Sequence, residues 1–316
     1  MTIHLQGKHK SGFTVDVAEP FTFPAGEAHI KGLDILKIED YEYFLVDIRG
    51  HSPQDLFHLA LFADGITELS KVLQGIDDIP ELYVLLPYLP AARADRGVPF
   101  GAQVYADFIS STYPDYIIGL DPHSPVMPKM LSQYQEFPFE RIIKDKIAHA
   151  SGDEFQMDHN YAGVIAPDKG AHDRAKRAAD VLHVPVFTAG KTRDFETGQL
   201  TGFHMEDELP KDGKFLIVDD ICDGGGTFIG LAEAIKKTNP NVTLDLWVTH
   251  GIFSKGPALL MDHFDTVHTT NSYYQPGNSE EYSGMLEKGG RLVVHDITAY
   301  LYFEVSRLHA EGLADA

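Results

Sequence analysis

Residues 215–227 read FLIVDDICDGGGT. The apolar run Phe215–Val218 predicts a buried strand, and Asp219–Thr227 then reads as a loop that feeds a helix over Phe228–Lys237. Two adjacent carboxylates, Asp219 and Asp220, emerge at the strand's C-terminal end, the edge at which open α/β sheets bind ligands. Asp223 follows, then Gly224, Gly225 and Gly226, which let backbone N–H groups approach an anion closely. The helix N-terminus adds partial positive charge. Thr227 is expected to cap that helix and to offer a hydroxyl. Asp219 and Asp220 suit the vicinal hydroxyls of a sugar, or a metal-bound water. A glycine-rich turn with a surface Asp pair needs no ligand. An apolar strand, three carboxylates and three glycines in one run are far more specific than such a turn.

The same rhythm continues on both sides. Tyr43–Ile48, Leu82–Leu86, Tyr116–Leu120, Gly163–Ala166, Val184–Phe187 and Asn241–Val248 read as strands. Gln54–Leu73, Ala102–Ser110 and Ala171–Leu182 carry helical spacing, the last with Arg174, Lys176 and Arg177. Such alternation predicts βαβ units and parallel sheets flanked by helices. Two sets, joined around Pro138–Gly152, predict two α/β domains, residues 1–140 and 141–296. The terminal run Ile297–His309 reads as an amphipathic helix.

Composition narrows the function. The chain has 316 residues and 26 basic against 47 acidic side chains, a net charge of −21. A surface this acidic repels nucleic-acid backbones and anionic membranes, so neither is an expected partner. Any bound phosphate needs local screening by a metal ion, a few basic side chains or backbone N–H groups. The one cysteine, Cys222, excludes an intrachain disulfide framework and a multi-cysteine zinc site. No apolar run approaches 18 residues, and Met1–Lys10 is polar rather than signal-like. A soluble cytoplasmic protein is expected.

The segment 215–227 resembles VDDxxDTGGT, the ribose-5-phosphate loop shared by type I phosphoribosyltransferases and phosphoribosyl pyrophosphate synthetases. Further blocks resemble the synthetases. Pro87–Arg96, PYLPAARADR, is similar to PYxxYARQDR; Asp121–Ser124, DPHS, to DLHA; and Ala166–Arg174, APDKGAHDR, to SPDxGGxxRA. GKTR around Lys191 and Arg193 resembles the catalytic Lys-x-Arg, THGIFSKGP from Thr249 to Pro257 resembles THGIFSGPA, and Phe23–Glu27, FPAGE, resembles FSDGE. The blocks run in order from about Phe21 to His309.

The resemblance implies two phosphoribosyltransferase-like α/β domains, with residues 297–316 packing back on the first and the active site between the two. It implies transfer of the β,γ-diphosphate of ATP to the anomeric hydroxyl of a ribose 5-phosphate unit, with Mg2+ bridging the phosphates. By the same resemblance Lys191 and Arg193 are catalytic. Asp219, Asp220, Asp223, Gly224, Gly225, Gly226 and Thr227 hold the ribose phosphate. Phe23, Glu27, Arg93, Asp95 and His123 bind ATP, and His123 and Asp168 hold the metal. Phe23 would stack on adenine, often across a subunit boundary, so a homo-oligomer from dimer to hexamer is implied; as a residue on its own it also suits an ordinary core. Lys191 and Arg193, at i and i+2, can clamp one phosphate face, or can be a solvated surface pair. Asp168 alone can be a turn residue.

Several positions depart from the pattern. Ala25 stands for the adenine-reading Asp, Ala91 and Ala94 for Tyr and Gln, and Gly224 for Thr. The basic stretch before Val98-Pro99 shrinks to Gly97, which puts phosphate and ADP regulation in doubt. The change at 224 leaves room for a substituent on the acceptor's phosphate, so ADP-ribose, giving its 1-pyrophosphate for NAD resynthesis, is an alternative acceptor to ribose 5-phosphate. Two further alternatives are a phosphoribosyltransferase and a non-catalytic subunit associated with a synthetase.

Overall fold

The computed structural model describes residues 3–33, 36–50, 52–72, 79–153, 156–193, 200–273 and 292–315. The chain divides into two compact units, Met1–Phe137 with Thr298–Ala316, and Pro138–Ile297. Each is built on a seven-stranded sheet.

The first sheet contains β1 (Ile3–His9), β2 (Thr14–Thr22), β3 (Ala28–Lys31), β4 (Tyr41–Ile48), β5 (Glu81–Leu85), β6 (Tyr116–Leu120) and β7 (Tyr134–Phe137), in the order β3-β2-β1-β4-β5-β6-β7. Strands β4 to β7 are parallel. β4 is buried continuously from Tyr43 to Ile48, as a strand covered on both faces must be. Helix α1 (Pro53–Val72) contributes Leu56, Leu59, Phe62, Ala63 and Ile66 to the core at helical spacing. Helix α2 (Gly101–Ser110) buries Ala102, Ala106 and Ile109. The C-terminal helix, Thr298–Asp315, buries Leu301, Val305 and Leu308; its His309 Nδ1 lies 2.7 Å from Glu81 Oε2, and its Tyr302 hydroxyl donates to Gln6.

The second sheet contains β8 (Tyr161–Ala166), β9 (Val186–Arg193), β10 (Leu200–Met205), β11 (Asp212–Cys222), β12 (Asn241–Gly251), β13 (Thr266–Thr270) and β14 (Leu292–His295), in the order β10-β9-β8-β11-β12-β13-β14. The helices are α3 (Phe139–Ile143), α4 (His172–Leu182), α5 (Gly226–Thr238) and α6 (Ala258–Met261). Helix α4 buries Ala175, Ala178, Ala179 and Leu182, a narrow stripe of mostly small side chains that lets its backbone approach the sheet closely.

The sheets are mixed, where the alternation predicts parallel ones. β1 runs antiparallel to β2 and β4, β2 to β3, and β9 to β10. Hairpins at the edges need only short turns, whereas parallel pairs need crossovers. Among the described residues no helix is long and apolar enough to cross a membrane.

A partly buried histidine pair lies on β13 and β14 at one edge of the second sheet. His268 Nδ1 lies 3.1 Å from His295 Nε2, and the Trp247 ring stacks on His295 at 5.4 Å. Burial, then the charge of Lys214, pushes His268 down to about 4. Burial, then His268 and Lys146, pushes His295 down to about 3. The unfolded chain takes up these protons near the ordinary value of 6.5. The neutral pair therefore contributes stability that is complete above pH 6.5 and is lost as the pH falls toward 4, by up to about 1.4 kcal/mol per pH unit for each ring. Urea unfolding from pH 7 to 4 should show that loss, and the double variant His268→Phe, His295→Phe should flatten its slope; an unchanged slope would contradict this origin.

Candidate active site

Strand β11 does not stop at Val218. It pairs with β12 as far as Cys222 opposite Gly251, so Asp219 and Asp220 are strand residues rather than loop residues. The cause is β12, which is itself long enough to keep the ladder running. The turn shrinks to Asp223–Gly225. Gly225 is the N-cap of α5 with φ +77°, a left-handed backbone that favours glycine, and a Cβ there would press on Leu260 Cδ2 at 3.1 Å. Thr227 is therefore the second residue of α5 and does not cap it; the cap carries no side-chain hydrogen bond. The Cys222 carbonyl accepts from Ile252 N and Phe253 N at 2.9 and 3.0 Å, which ties the loop after β12 to this turn.

Arg174, in the first turn of α4, faces both strand-end carboxylates. Its Nη1 donates to Asp219 Oδ1 at 3.3 Å, and its Nη2 lies 3.7 Å from Asp220 Oδ2. Asp219 Oδ1 also accepts from Asp220 N at 2.9 Å. The side chains are 13, 19 and 5% exposed for Arg174, Asp219 and Asp220. Burial, then the neighbouring Asp220 charge, pushes Asp219 well above the usual carboxylate range, with Arg174 pulling the other way. The pair retains excess negative charge, which suits hydroxyl donors or a cation. The sequence places Arg174 on a helix and at the end of the block Ala166–Arg174, with no role of its own. An Arg one turn into the helix after the strand beside β11 was the available signal.

Strands β9, β8, β11 and β12 are adjacent and parallel, so their C-terminal ends open on one edge. Asp168 follows β8 and caps the turn Lys169–Ala171, its Oδ1 accepting from Gly170 N and Ala171 N at 2.9 and 3.2 Å. Its Oδ2 accepts from Lys191 Nζ, in β9, at 2.5 Å. Burial pushes Asp168 up, but Lys191 and the two N–H groups outweigh it and hold the carboxyl below its ordinary value. Arg193 ends β9 opposite Leu200, and its side chain lies outside the described residues.

In the first unit, Arg93 and Asp95 follow β5 and His123 follows β6, at the C-terminal edge of that parallel pair. Arg93 and His123 are exposed, and Asp95 Oδ1 lies 3.5 Å from Arg96 Nε. Phe23 is 46% exposed, so it is not a core residue. It sits in the β2–β3 turn, where Phe23 N donates to Glu27 O and Gly26 N to Phe23 O, both at 2.8 Å. Its ring stacks on His29 at 5.6 Å, and Glu27 is exposed beside it.

Among the described residues no group of three or more His, Cys, Asp or Glu side chains could hold a metal ion. The donor set does not form a protein cage. Asp168 is an ionised oxygen donor of the kind a hard cation takes. A cleft of about 560 Å³ lined by Asp207, Lys211, Asn239 and Asn241 lies where β11 and β12 begin, at the opposite edge from the carboxylates.

Residues 133–251 match the phosphoribosyl transferase domain family. The ribose-phosphate pyrophosphokinase of Sulfolobus acidocaldarius is 31% identical over 219 residues, 67% of this chain and 68% of that protein. The chain belongs to the ribose-phosphate pyrophosphokinase family. The Pyrococcus furiosus pyrophosphokinase is 29% identical over 285 residues, covering 86% of this chain and 92% of its own. A phosphoribosylpyrophosphate synthetase structure from Mycobacterium smegmatis shares the fold, with a TM-score of 0.66 at 19% identity over 93% of this chain and 90% of that one. Membership of this family makes the chain a transferase.

A raised Asp219 has a kinetic signature. The ionised carboxylate accepts a hydroxyl's hydrogen bond more strongly than the neutral acid does, so kcat/KM should fall as the pH drops through a value above the ordinary carboxylate range. Asp219→Asn should remove that acid limb and lower kcat/KM by about 10- to 100-fold; an unmoved limb would assign it elsewhere.

Proposed function

We propose that this chain transfers the β,γ-diphosphoryl group of ATP, in one step, to the anomeric hydroxyl of a ribose 5-phosphate unit and releases AMP. The observation that carries this reading is the buried Asp219–Asp220 pair beside a glycine turn at the ligand edge of β11. The two carboxylates accept the vicinal ribose hydroxyls. Asp223, the N–H groups of Gly224–Gly226 and the Thr227 hydroxyl receive the 5-phosphate. The anomeric O–H loses its proton to water, the O1–Pβ bond forms, and the bond from Pβ to the bridging oxygen breaks with its electrons left on AMP. Charge builds on the transferred phosphoryl oxygens, where Lys191 and Arg193 stabilise it. Arg93, Asp95 and His123 serve the ATP phosphates and nearby groups, and the exposed Phe23 ring, with Glu27, serves adenine. An exposed ring on a hairpin suits a site completed by a second copy of the chain, which is why we assign a homo-oligomer.

Mg2+ bound to the phosphates would neutralise their charge; Asp168 in the second unit and His123 in the first are each candidate protein ligands, and oxygen preference makes Asp168 the stronger candidate. Lys191 holds Asp168 ionised before substrate arrives. The preserved Lys191–Asp168 pair supports an active enzyme over a silent regulatory subunit.

Ribose 5-phosphate is the first acceptor to test. ADP-ribose is the second, because Gly224 removes a side chain from the phosphate turn. Purified protein with Mg-ATP and either acceptor should yield AMP and an acceptor heavier by a diphosphoryl group, read by mass spectrometry. Lys191→Met should lower kcat at least about 100-fold. ADP as the product would overturn diphosphoryl transfer, and pyrophosphate release that requires a nucleobase would make the chain a phosphoribosyltransferase.

A further inference from the structure

The space beside Gly224 is not empty. A Cβ at that position would stand 3.4 Å from both Cδ and Cε of Lys255 and 3.8 Å from its Cγ. The lysine stem therefore lies along the glycine of the phosphate turn, and its ammonium is one bond beyond. Lys255 sits in the loop between β12 and α6. That loop is pinned to β11 through the Cys222 carbonyl, and it closes on itself with Gly256 N donating to Phe253 O at 2.8 Å. Phe253 is buried and left-handed, at φ +45°. The backbone thus fixes where Lys255 starts, although its side chain is exposed. Against the run THGIFSGPA, Lys255 is the extra residue.

Other cations described at this edge are already engaged, Arg174 with Asp219 and Asp220, Lys191 with Asp168, and Lys169 with Glu206. Lys255 has no hydrogen-bond or ion-pair partner among the described residues, and an ammonium against an N–H-rich turn suits phosphoryl oxygens. A Thr at 224 would bring a short hydroxyl to the anion, with its Cβ in van der Waals contact with the lysine stem. Here that hydroxyl is absent and a longer, charged donor stands over the same spot. We propose that Lys255 receives the phosphoryl end of the acceptor and sets which sugar phosphate the turn accepts. This rests on the β11 edge being the acceptor site.

The test uses Lys255→Met, which keeps most of the stem and removes the charge, and Gly224→Thr, which places a side chain against it. Binding of ribose 5-phosphate and of ADP-ribose is measured by calorimetry at two salt concentrations, beside the KM for ATP. Lys255→Met should weaken acceptor binding about tenfold and reduce its salt dependence, with the KM for ATP unchanged. Gly224→Thr should weaken the same acceptor. Loss on both acceptors places the ammonium at the 5-phosphate; loss on ADP-ribose alone places it at the outer phosphate; either supports the assignment. Equal affinities in wild type and Lys255→Met would overturn it, while wild-type AMP formation would still sustain the proposed reaction. Lys255-dependent binding without AMP formation would sink the reaction and leave the lysine's role. A wild type that binds neither compound would overturn both.

Discussion

Two adjacent carboxylates sunk at the end of β11 constrain what surrounds them. Like charges at such a spot are costly unless a cation and hydrogen bonds offset the lost water. Arg174 supplies the cation, and it reaches only because α4 approaches the sheet on an alanine stripe. That in turn requires β8 beside β11, so that the helix after β8 crosses the right strand end. The excess negative charge left over is what a polyhydroxylated sugar can use.

The turn after the carboxylates follows from the same edge. β12 runs on to Gly251, holds β11 extended to Cys222, and leaves three residues in which to reverse into α5. The left-handed backbone at 225 favours glycine. The two flanking strands place a second charged pair, Asp168 with Lys191, on the same edge. On that edge Lys191 holds Asp168 ionised, while Arg174 offsets only part of the charge at Asp219 and Asp220.

Much of this was legible in the residues. The apolar runs at Phe215–Val218 and Tyr116–Leu120 and the helical spacing of Leu56, Leu59 and Ile66 mark buried strands and a covering helix, and the alternation gives the α/β class. The meander of β1 to β3 was not legible, because β2 has no buried residue and hydropathy is silent there. The true end of β11 was hidden because it depends on pairing with β12, a tertiary matter. Thr227 read as a cap because a hydroxyl after glycines usually suits that place, but left-handed Gly225 takes it. Lys191 and Asp168 were each singled out, yet their ion pair joins residues 23 apart and only strand register reveals it. Lys255 against Gly224 is of the same kind: two small departures in separate blocks become one feature only in space.

The central assignment is that Asp219 and Asp220 grip the vicinal hydroxyls of the acceptor sugar. The most direct measurement compares the affinity of ribose 5-phosphate with that of 2-deoxyribose 5-phosphate, by calorimetry at a pH well above the carboxylate range. The two share the phosphate and differ by one hydroxyl. Loss of a hydrogen bond to a buried carboxylate should weaken the deoxy sugar by about tenfold or more. Equal affinities would contradict the assignment and leave the pair a structural feature of the strand end.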